Sequence, residues 1–212
     1  MIWESGPWKD DLLANARLLK KAGARRRTAR RSFDIERAIF LSAYIMRKLW
    51  EARKLSTAWE MRKIPCILHP PKSRVPDCLN WHRIDELYKL EIEKMEALTA
   101  LDFCHRTIHS YIFIIVEGPR KSISGIFFTS DHSKLRGLWF VSLADVLLLL
   151  KETGRDYPSS SRMVRHPKTE EWIVWAGHGE PPKEWTDAES EMIGKSVSKF
   201  ETGVGKSGRL KG

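Results

Sequence analysis

The sequence predicts an α+β fold, in which an N-terminal bundle of three main helices precedes a small antiparallel sheet carrying one helix. Apolar residues recur at helical spacing through the first half of the chain, strand-like runs begin at Tyr111, and glycine or proline separates those runs. The chain has 212 residues, of which 42% are hydrophobic, so it can bury a substantial core. We expect a helical half at 1–110, a sheet with one helix at 111–180, and a mobile tail at 181–212.

Two helices are predicted before residue 58. The first covers 7–22, with acidic residues in its first turn and lysines in its last, an arrangement that suits the helix dipole. The second begins at Phe33 with Asp34 as its N-cap and continues to about Leu55. An excursion at 58–79 follows. Its four prolines, at positions 65, 70, 71 and 76, exclude a helix there and leave one short strand at 63–68.

A third helix is predicted from Asn80 to the end of the run His105-Arg106-Thr107-Ile108-His109. Its apolar residues keep helical spacing as far as Leu101, and Asp102 lies beside the continuation of that face. Residues four apart on a helix share a face, so His105 and His109 are expected to point the same way. This run therefore concentrates more potential chemistry than any other stretch of the chain.

The second half of the chain predicts the sheet. Residues 111–116 are expected to form a strand, buried on at least one face and paired with 123–129, because a Gly-Pro turn separates the two runs. A third strand is expected at 137–141. Ser142 then caps a helix at 143–152 that Gly154 ends. Two more strands are expected at 162–166 and 171–175.

Positive charge is concentrated near the N-terminus. The net charge is +10, and seven lysines and arginines occur within twelve residues at 20–31 with no acid between them. Such a cluster attracts phosphate backbones and releases counterions on binding, although it can equally be a solvated loop. The partner that this pattern favours is nucleic acid, RNA rather than DNA, with these candidate binding residues: Arg25, Arg26, Arg27, Arg30 and Arg31.

The histidine run admits three interpretations. His105 and His109 can chelate a transition metal, with Asp102 as an oxygen ligand. They can act as acid and base, with Arg106 steadying a phosphate. Or one histidine packs into the core while the other caps the helix C-terminus.

A helical N-terminal region whose last helix ends in a polar-x3-histidine motif resembles the HEPN superfamily, over residues 8–112. The resemblance implies an all-α bundle, and for an enzyme it implies a ribonuclease, here expected to be metal-independent, that acts as a homodimer. His109 takes the family's histidine position and His105 its polar position, while the arginine position falls on Cys104. The candidate catalytic residues are His105, Arg106 and His109, supported by Asp102, and no cofactor or metal is expected.

Two alternative functions remain open. Four soft ligands in the proline-rich excursion and directly after it can wrap a zinc ion, which would make a small zinc-binding domain that uses Cys66, His69, Cys78 and His82. Alternatively, the sheet and its tryptophans hold a protein partner without catalysis. Three observations distinguish these functions. Salt-sensitive retention of nucleic acid would support the nucleic-acid partner, stoichiometric zinc would support the zinc-binding domain, and oligomerisation without such retention would support the protein partner.

Bulk features exclude other classes. The longest apolar runs, at 111–116 and 146–150, are too short to cross a bilayer, so no membrane partner is expected. The sequence does not begin with basic residues followed by an apolar stretch, so no signal peptide is expected. The three cysteines argue against a disulfide framework, and we expect a reducing, cytoplasmic location.

Overall fold

The computed structural model describes residues 2–24, 28–119, 122–166, 169–183 and 185–186. The chain divides into two compact units, one of Met1–Lys54 with Ala58–Asp156 and one of Leu55–Thr57 with Tyr157–Gly212. The expected boundary at residue 110 is not a boundary between these units, because strands on both sides of it join one sheet. Most of the expected mobile tail at 181–212 lies outside the described residues.

Two long helices open the chain: α1 (Gly6–Gly23) and α2 (Ala29–Glu51). The prediction of α1 is confirmed in its bounds and in the lysines of its last turn, but not in its acidic first turn. The helix begins at Gly6, so its first turn contains no acidic residue. The predicted start and cap of α2 are wrong. Thr28 is the N-cap, and its hydroxyl accepts a hydrogen bond from the Arg31 N–H. Asp34 instead lies one turn inside the helix, where its carboxylate pairs with Arg30 at 3.3 Å.

The single long third helix is wrong. Residues 80–109 form a short helix α4 (Ile84–Leu87), a strand β2 (Lys94–Thr99) and a helix α5 (Ala100–Ile108), while a one-turn helix α3 (Thr57–Glu60) lies further upstream. The helical spacing was overridden because β2 pairs antiparallel with β1 (Lys63–His69), the strand predicted within the excursion. The range 8–112, for which the HEPN resemblance implies an all-α bundle, therefore contains two whole strands and the start of a third.

The remaining strands of the main sheet are β3 (Ser110–Glu117), β4 (Ile123–Ser130) and β5 (Leu138–Ser142). All neighbours are antiparallel, in the order β2-β1-β5-β4-β3. The predicted pairing of 111–116 with 123–129 is confirmed, with Ile115 opposite Ile126. The helix α6 (Leu143–Arg155) follows β5, capped as predicted by Ser142, whose hydroxyl accepts from the Asp145 N–H at 3.0 Å.

Helices α2, α5 and α6 cover one face of this sheet. On that face Phe103 of α5 meets Phe128 of β4 with ring centroids 5.6 Å apart, and Phe40 of α2 meets Phe113 of β3 at 4.8 Å. A smaller cluster on the opposite face joins the 84–90 segment to the sheet through Leu87, Tyr88, Ile112 and Leu138. The strand order places β3 at the edge of the sheet, with α5 immediately before it in the chain.

The second unit contains a two-stranded antiparallel sheet. Its strands are β6 (Ser160–Arg165) and β7 (Trp172–Gly177), close to the predicted bounds. The Ala176 N–H donates to the Thr57 hydroxyl at 2.9 Å, which ties the hairpin to residues 55–57 of the same unit. Across the described part of the chain, none of the helices combines the length and apolar character needed to cross a bilayer.

Candidate functional site

Helix α5 places two histidines side by side. Thr99 caps the helix by accepting from the Asp102 N–H at 3.0 Å, which fixes where its first turn begins. At the other end the His109 N–H donates to the His105 carbonyl at 3.1 Å, so His109 closes the helix. Both side chains are exposed, and their rings lie 4.8 Å apart between centroids. The expectation that His105 and His109 share a face is confirmed.

These histidines line a cavity of about 360 Å³, which we call the histidine cleft. The C-terminal turn of α5, the start of β3 and the turn between β4 and β5 form it. That turn contributes two residues that the sequence interpretation missed, Asp131 and His132. The complete lining consists of His105, Ile108, His109, Ser110, Tyr111, Asp131 and His132.

The β4–β5 turn is held by its own side chains. The Ser130 and Ser133 hydroxyls lie 2.7 Å apart, and both residues are buried. Lys134 pairs with Asp131 at 2.7 Å, and its ammonium stands 4.0 Å from the centre of the Tyr111 ring. The turn that presents His132 is therefore tied to itself and to β3. A polar Ser-Asp-His-Ser run directly after a buried strand was the available sequence signal.

Arg106 does not join the histidine cleft. Its guanidinium carbon lies 4.1 Å from the centre of the Trp139 ring on β5, and Arg136 approaches the same ring at 5.5 Å. The Arg106 Nε is buried and has no hydrogen-bond partner in the described structure. The interpretation that groups Arg106 with His105 and His109 is therefore corrected. Consecutive helical residues project about 100° apart, and Arg106 extends over the sheet.

The electrostatics of the histidine cleft favour an uncharged His105. Partial desolvation of the imidazole is the largest cause that lowers the pKa of His105. The nearby charges of His109, Arg47 and Arg106 lower it further, while the charge of Asp102 raises it. Asp102 is exposed in the first turn of α5, so it acts on His105 as a charge rather than as a cleft residue. A neutral imidazole at neutral pH can accept a proton.

A second cavity, of about 400 Å³, adjoins the first, and we call it the aromatic cleft. The two clefts share Ser110 and Tyr111 of β3. Trp81 is 40% exposed, and its indole meets the His82 ring at 5.7 Å between centroids. The complete lining consists of Glu36, Phe40, Cys78, Trp81, Ser110, Tyr111 and Phe113.

The predicted basic cluster is described only in part. Arg25, Arg26 and Arg27 lie outside the described residues. Lys20, Lys21 and Arg30 are exposed, and Arg31 is half-buried. Arg30 pairs with Asp34 on the surface of α2 and stacks over Phe33 at 5.6 Å. Its charge is therefore balanced by a neighbouring carboxylate.

The structure does not bring together the four residues on which the zinc interpretation rests. Side chains alternate along a strand, so Cys66 and His69 of β1 lie on opposite faces of the sheet. His69 Nδ1 is 3.1 Å from the Ile92 carbonyl, and burial raises the pKa of the Cys66 thiol to about 11. Cys78 and His82 are exposed. The described residues contain no group of three or more His, Cys, Asp or Glu side chains arranged to hold a metal ion.

Cys104, on which the arginine position of the HEPN resemblance falls, is fully buried, and burial raises the pKa of its thiol. It therefore faces the core rather than either cleft. Comparison of the chain with protein-family models, with curated proteins and with solved structures finds no match.

Proposed function

We propose that the protein binds single-stranded RNA along β3 and cleaves it in the histidine cleft without a metal ion. The observation that carries this proposal is the convergence of His105, His109 and His132 from two separate elements on one cavity. Histidine is the side chain that most readily exchanges protons at neutral pH, and a cleft with several of them suits acid–base chemistry.

Each histidine takes a distinct role in this proposal. The neutral imidazole of His105 accepts the proton of the ribose 2′-hydroxyl, and the 2′-oxygen attacks phosphorus as the bond to the 5′-oxygen breaks. The leaving 5′-oxygen takes its proton from His132. The products are a 2′,3′-cyclic phosphate and a free 5′-hydroxyl, and water restores the two histidines to their starting protonation states.

The ring separation decides which histidine is the acid. In-line displacement requires the base and the acid on opposite sides of the phosphate. His105 and His109 lie 4.8 Å apart between centroids on one helix, which leaves no room for a phosphate between them. His132 comes from the β4–β5 turn, so it is the candidate acid. His109 then donates a hydrogen bond to a non-bridging phosphate oxygen as charge develops there.

The wider charge distribution supports an RNA partner. The chain carries a net charge of +10, and the exposed Lys20 and Lys21 give the C-terminal end of α1 a positive surface. Such a surface strengthens binding to phosphate backbones and makes it sensitive to salt. In this proposal Arg30 and Arg31, together with Arg25, Arg26 and Arg27, supply affinity and contribute no chemistry.

The test is cleavage of a labelled single-stranded RNA in the presence of EDTA, with identification of a 2′,3′-cyclic phosphate end. His105→Ala and His132→Ala are expected to lower the rate by roughly a hundredfold or more, within the usual range for a lost acid or base. His178→Ala is the matched control, because His178 is exposed and lies in the other compact unit. Equal rates in all three variants would overturn the proposal.

A second candidate function is protein binding without catalysis, and the β6–β7 hairpin favours it. Met163 and Trp172 are 56% and 57% exposed, and the strand register places them on the same face of the hairpin. If this candidate is correct, RNA stays intact and self-association in sedimentation experiments is lost in Trp172→Ser. A monomeric wild-type protein that cleaves RNA would exclude it.

A further inference from the structure

The aromatic cleft has the lining of a base-binding site. Four aromatic residues, Phe40, Trp81, Tyr111 and Phe113, line a cavity of about 400 Å³, which falls within the usual size of small-ligand pockets. Aromatic side chains stack on the flat faces of nucleobases, and single-stranded RNA is recognised through bases that are splayed out of a stack. Trp81 is exposed enough to be reached, at 40% of its surface.

One charged group lies in this cleft. Glu36 of α2 is exposed, and no hydrogen bond or ion pair engages its carboxylate among the described residues. An ionised carboxylate only accepts hydrogen bonds, through two oxygens. Guanine is the RNA base whose Watson–Crick edge presents two neighbouring donors, N1–H and the N2 amino group. Adenine, cytosine and uracil each present a single donor position on that edge, so a carboxylate matches guanine best.

The aromatic cleft lies next to the histidine cleft, where the proposed cleavage takes place. Ser110 and Tyr111 line both cavities, so a nucleotide whose base occupies the aromatic cleft brings its phosphate towards the histidines. Helix α2 runs beside both clefts, with Glu36 and Phe40 at the aromatic cleft and Arg47 close enough to His105 to act on its charge. The two cavities therefore behave as neighbouring subsites for one RNA strand.

The geometry points to a guanine subsite: the aromatic cleft binds a guanine base next to the scissile phosphate, and the Glu36 carboxylate selects it by accepting from N1–H and the N2 amino group. This inference rests on the proposed function, because the phosphate attached to that base is the one that the histidine cleft would cleave.

The experiment is isothermal titration calorimetry of the full chain with the 3′-monophosphates of guanosine, adenosine, cytidine and uridine. Guanosine 3′-monophosphate is expected to bind roughly tenfold more tightly than the other three, within the discrimination usual for one bidentate contact. Glu36→Gln is expected to reduce that preference to about twofold or less, because the amide places a donor against a donor of the base. Glu91→Gln is the matched control, since Glu91 is exposed and lines neither cleft.

Trp81→Ala separates stacking from selection. It is expected to weaken all four nucleotides by about fivefold or more, the usual effect of losing one stacking ring, while guanosine stays preferred. Equal binding of the four nucleotides to the wild-type protein overturns the guanine subsite, as does a preference that survives Glu36→Gln. Cleavage of RNA without any base preference would remove this inference alone. A guanosine preference in a protein that leaves RNA intact would support the subsite and remove the catalytic proposal.

Discussion

The two sides of helix α5 face opposite environments, although residues 105–109 contribute to both. On the histidine side, His105 and His109 are exposed and line a cavity that the β4–β5 turn completes. On the sheet side, Phe103 and Cys104 are buried and Arg106 stacks on Trp139. The difference separates stability from chemistry: one side of the helix fixes α5 to the sheet, and the other presents titratable groups that are free to meet a ligand.

The largest expected effect is on the sheet side. Phe103→Ala removes a ring that is 1% exposed and packs against Phe128, so it should destabilise the fold by about 3–5 kcal/mol. Denaturant unfolding followed by tryptophan fluorescence measures this loss. His109→Ala in the same assay should change the free energy of unfolding by less than about 0.5 kcal/mol, as exposed substitutions usually do. A larger loss in His109→Ala would mean that the histidine side also holds the fold together.

Next in size is an effect on the rate of RNA cleavage. Loss of one preorganised hydrogen-bond donor to the phosphate costs about 10²–10³ in rate, so His109→Ala should reduce cleavage by that factor. The melting temperature should stay within a few degrees of the wild-type value. Single-turnover cleavage with saturating protein makes the comparison independent of binding. Full activity in His109→Ala would leave His105 and His132 as the whole site and remove the role given to His109.

Replacing Arg106 should have a smaller effect, and this effect should be on stability rather than on RNA cleavage. Arg106→Met keeps a long apolar stem over Trp139 but loses the cation–π contact, which should cost about 0.5–2 kcal/mol of stability. Because Arg106 lies outside the histidine cleft, RNA cleavage should be unchanged at a pH where His105 is neutral in both proteins. Arg155→Met, an exposed position at the end of α6, is the control for removal of a charge. A cleavage defect in Arg106→Met as large as that of His105→Ala would return Arg106 to the site.

The smallest expected effect is a shift of a titration. Burial and the neighbouring cations lower the pKa of His105, so its imidazole loses its proton below the usual value of about 6.5. Activity that needs neutral His105 should therefore rise with pH along a limb whose midpoint lies below that value. His109→Asn removes one charge that lowers this pKa, so the His105 titration measured by NMR should move to higher pH. A downward or absent shift would contradict the coupling between the two rings.

The same pKa sets the sign of a stability change. The folded state of the protein holds the His105 proton less tightly than the unfolded state does, because the folded pKa lies below the unfolded value. The contribution of His105 to the free energy of unfolding is therefore fully present above about pH 6.5. It declines as pH falls through the pKa of the unfolded state and then that of the folded state. Screening by solvent keeps this change small, because the side chain is exposed.

Local sequence patterns were sufficient for several elements. The spacing of four residues put His105 and His109 on one face because a helix repeats every 3.6 residues, and their ring contact agrees. The apolar runs around a Gly-Pro turn determined that β3 and β4 pair, and Ser142 with Asp145 determined where α6 begins. In each case the residues that decide the structure lie within about ten positions of one another, so neighbouring side chains and the backbone settle the outcome.

Only the tertiary structure decided the rest. Residues 94–99 have helical spacing, yet they form β2 because pairing with β1, some thirty residues earlier, satisfies their backbone groups along the sheet. Arg106 lies apart from the histidines because its guanidinium stacks on the Trp139 ring of β5. His132 lines the cleft with them because the β4–β5 turn lies beside the end of α5. These contacts join residues far apart in sequence, and no local pattern contains them. The sequence by itself determined which side chains were available for chemistry, whereas the order of the strands in the sheet decided which of them share a cleft.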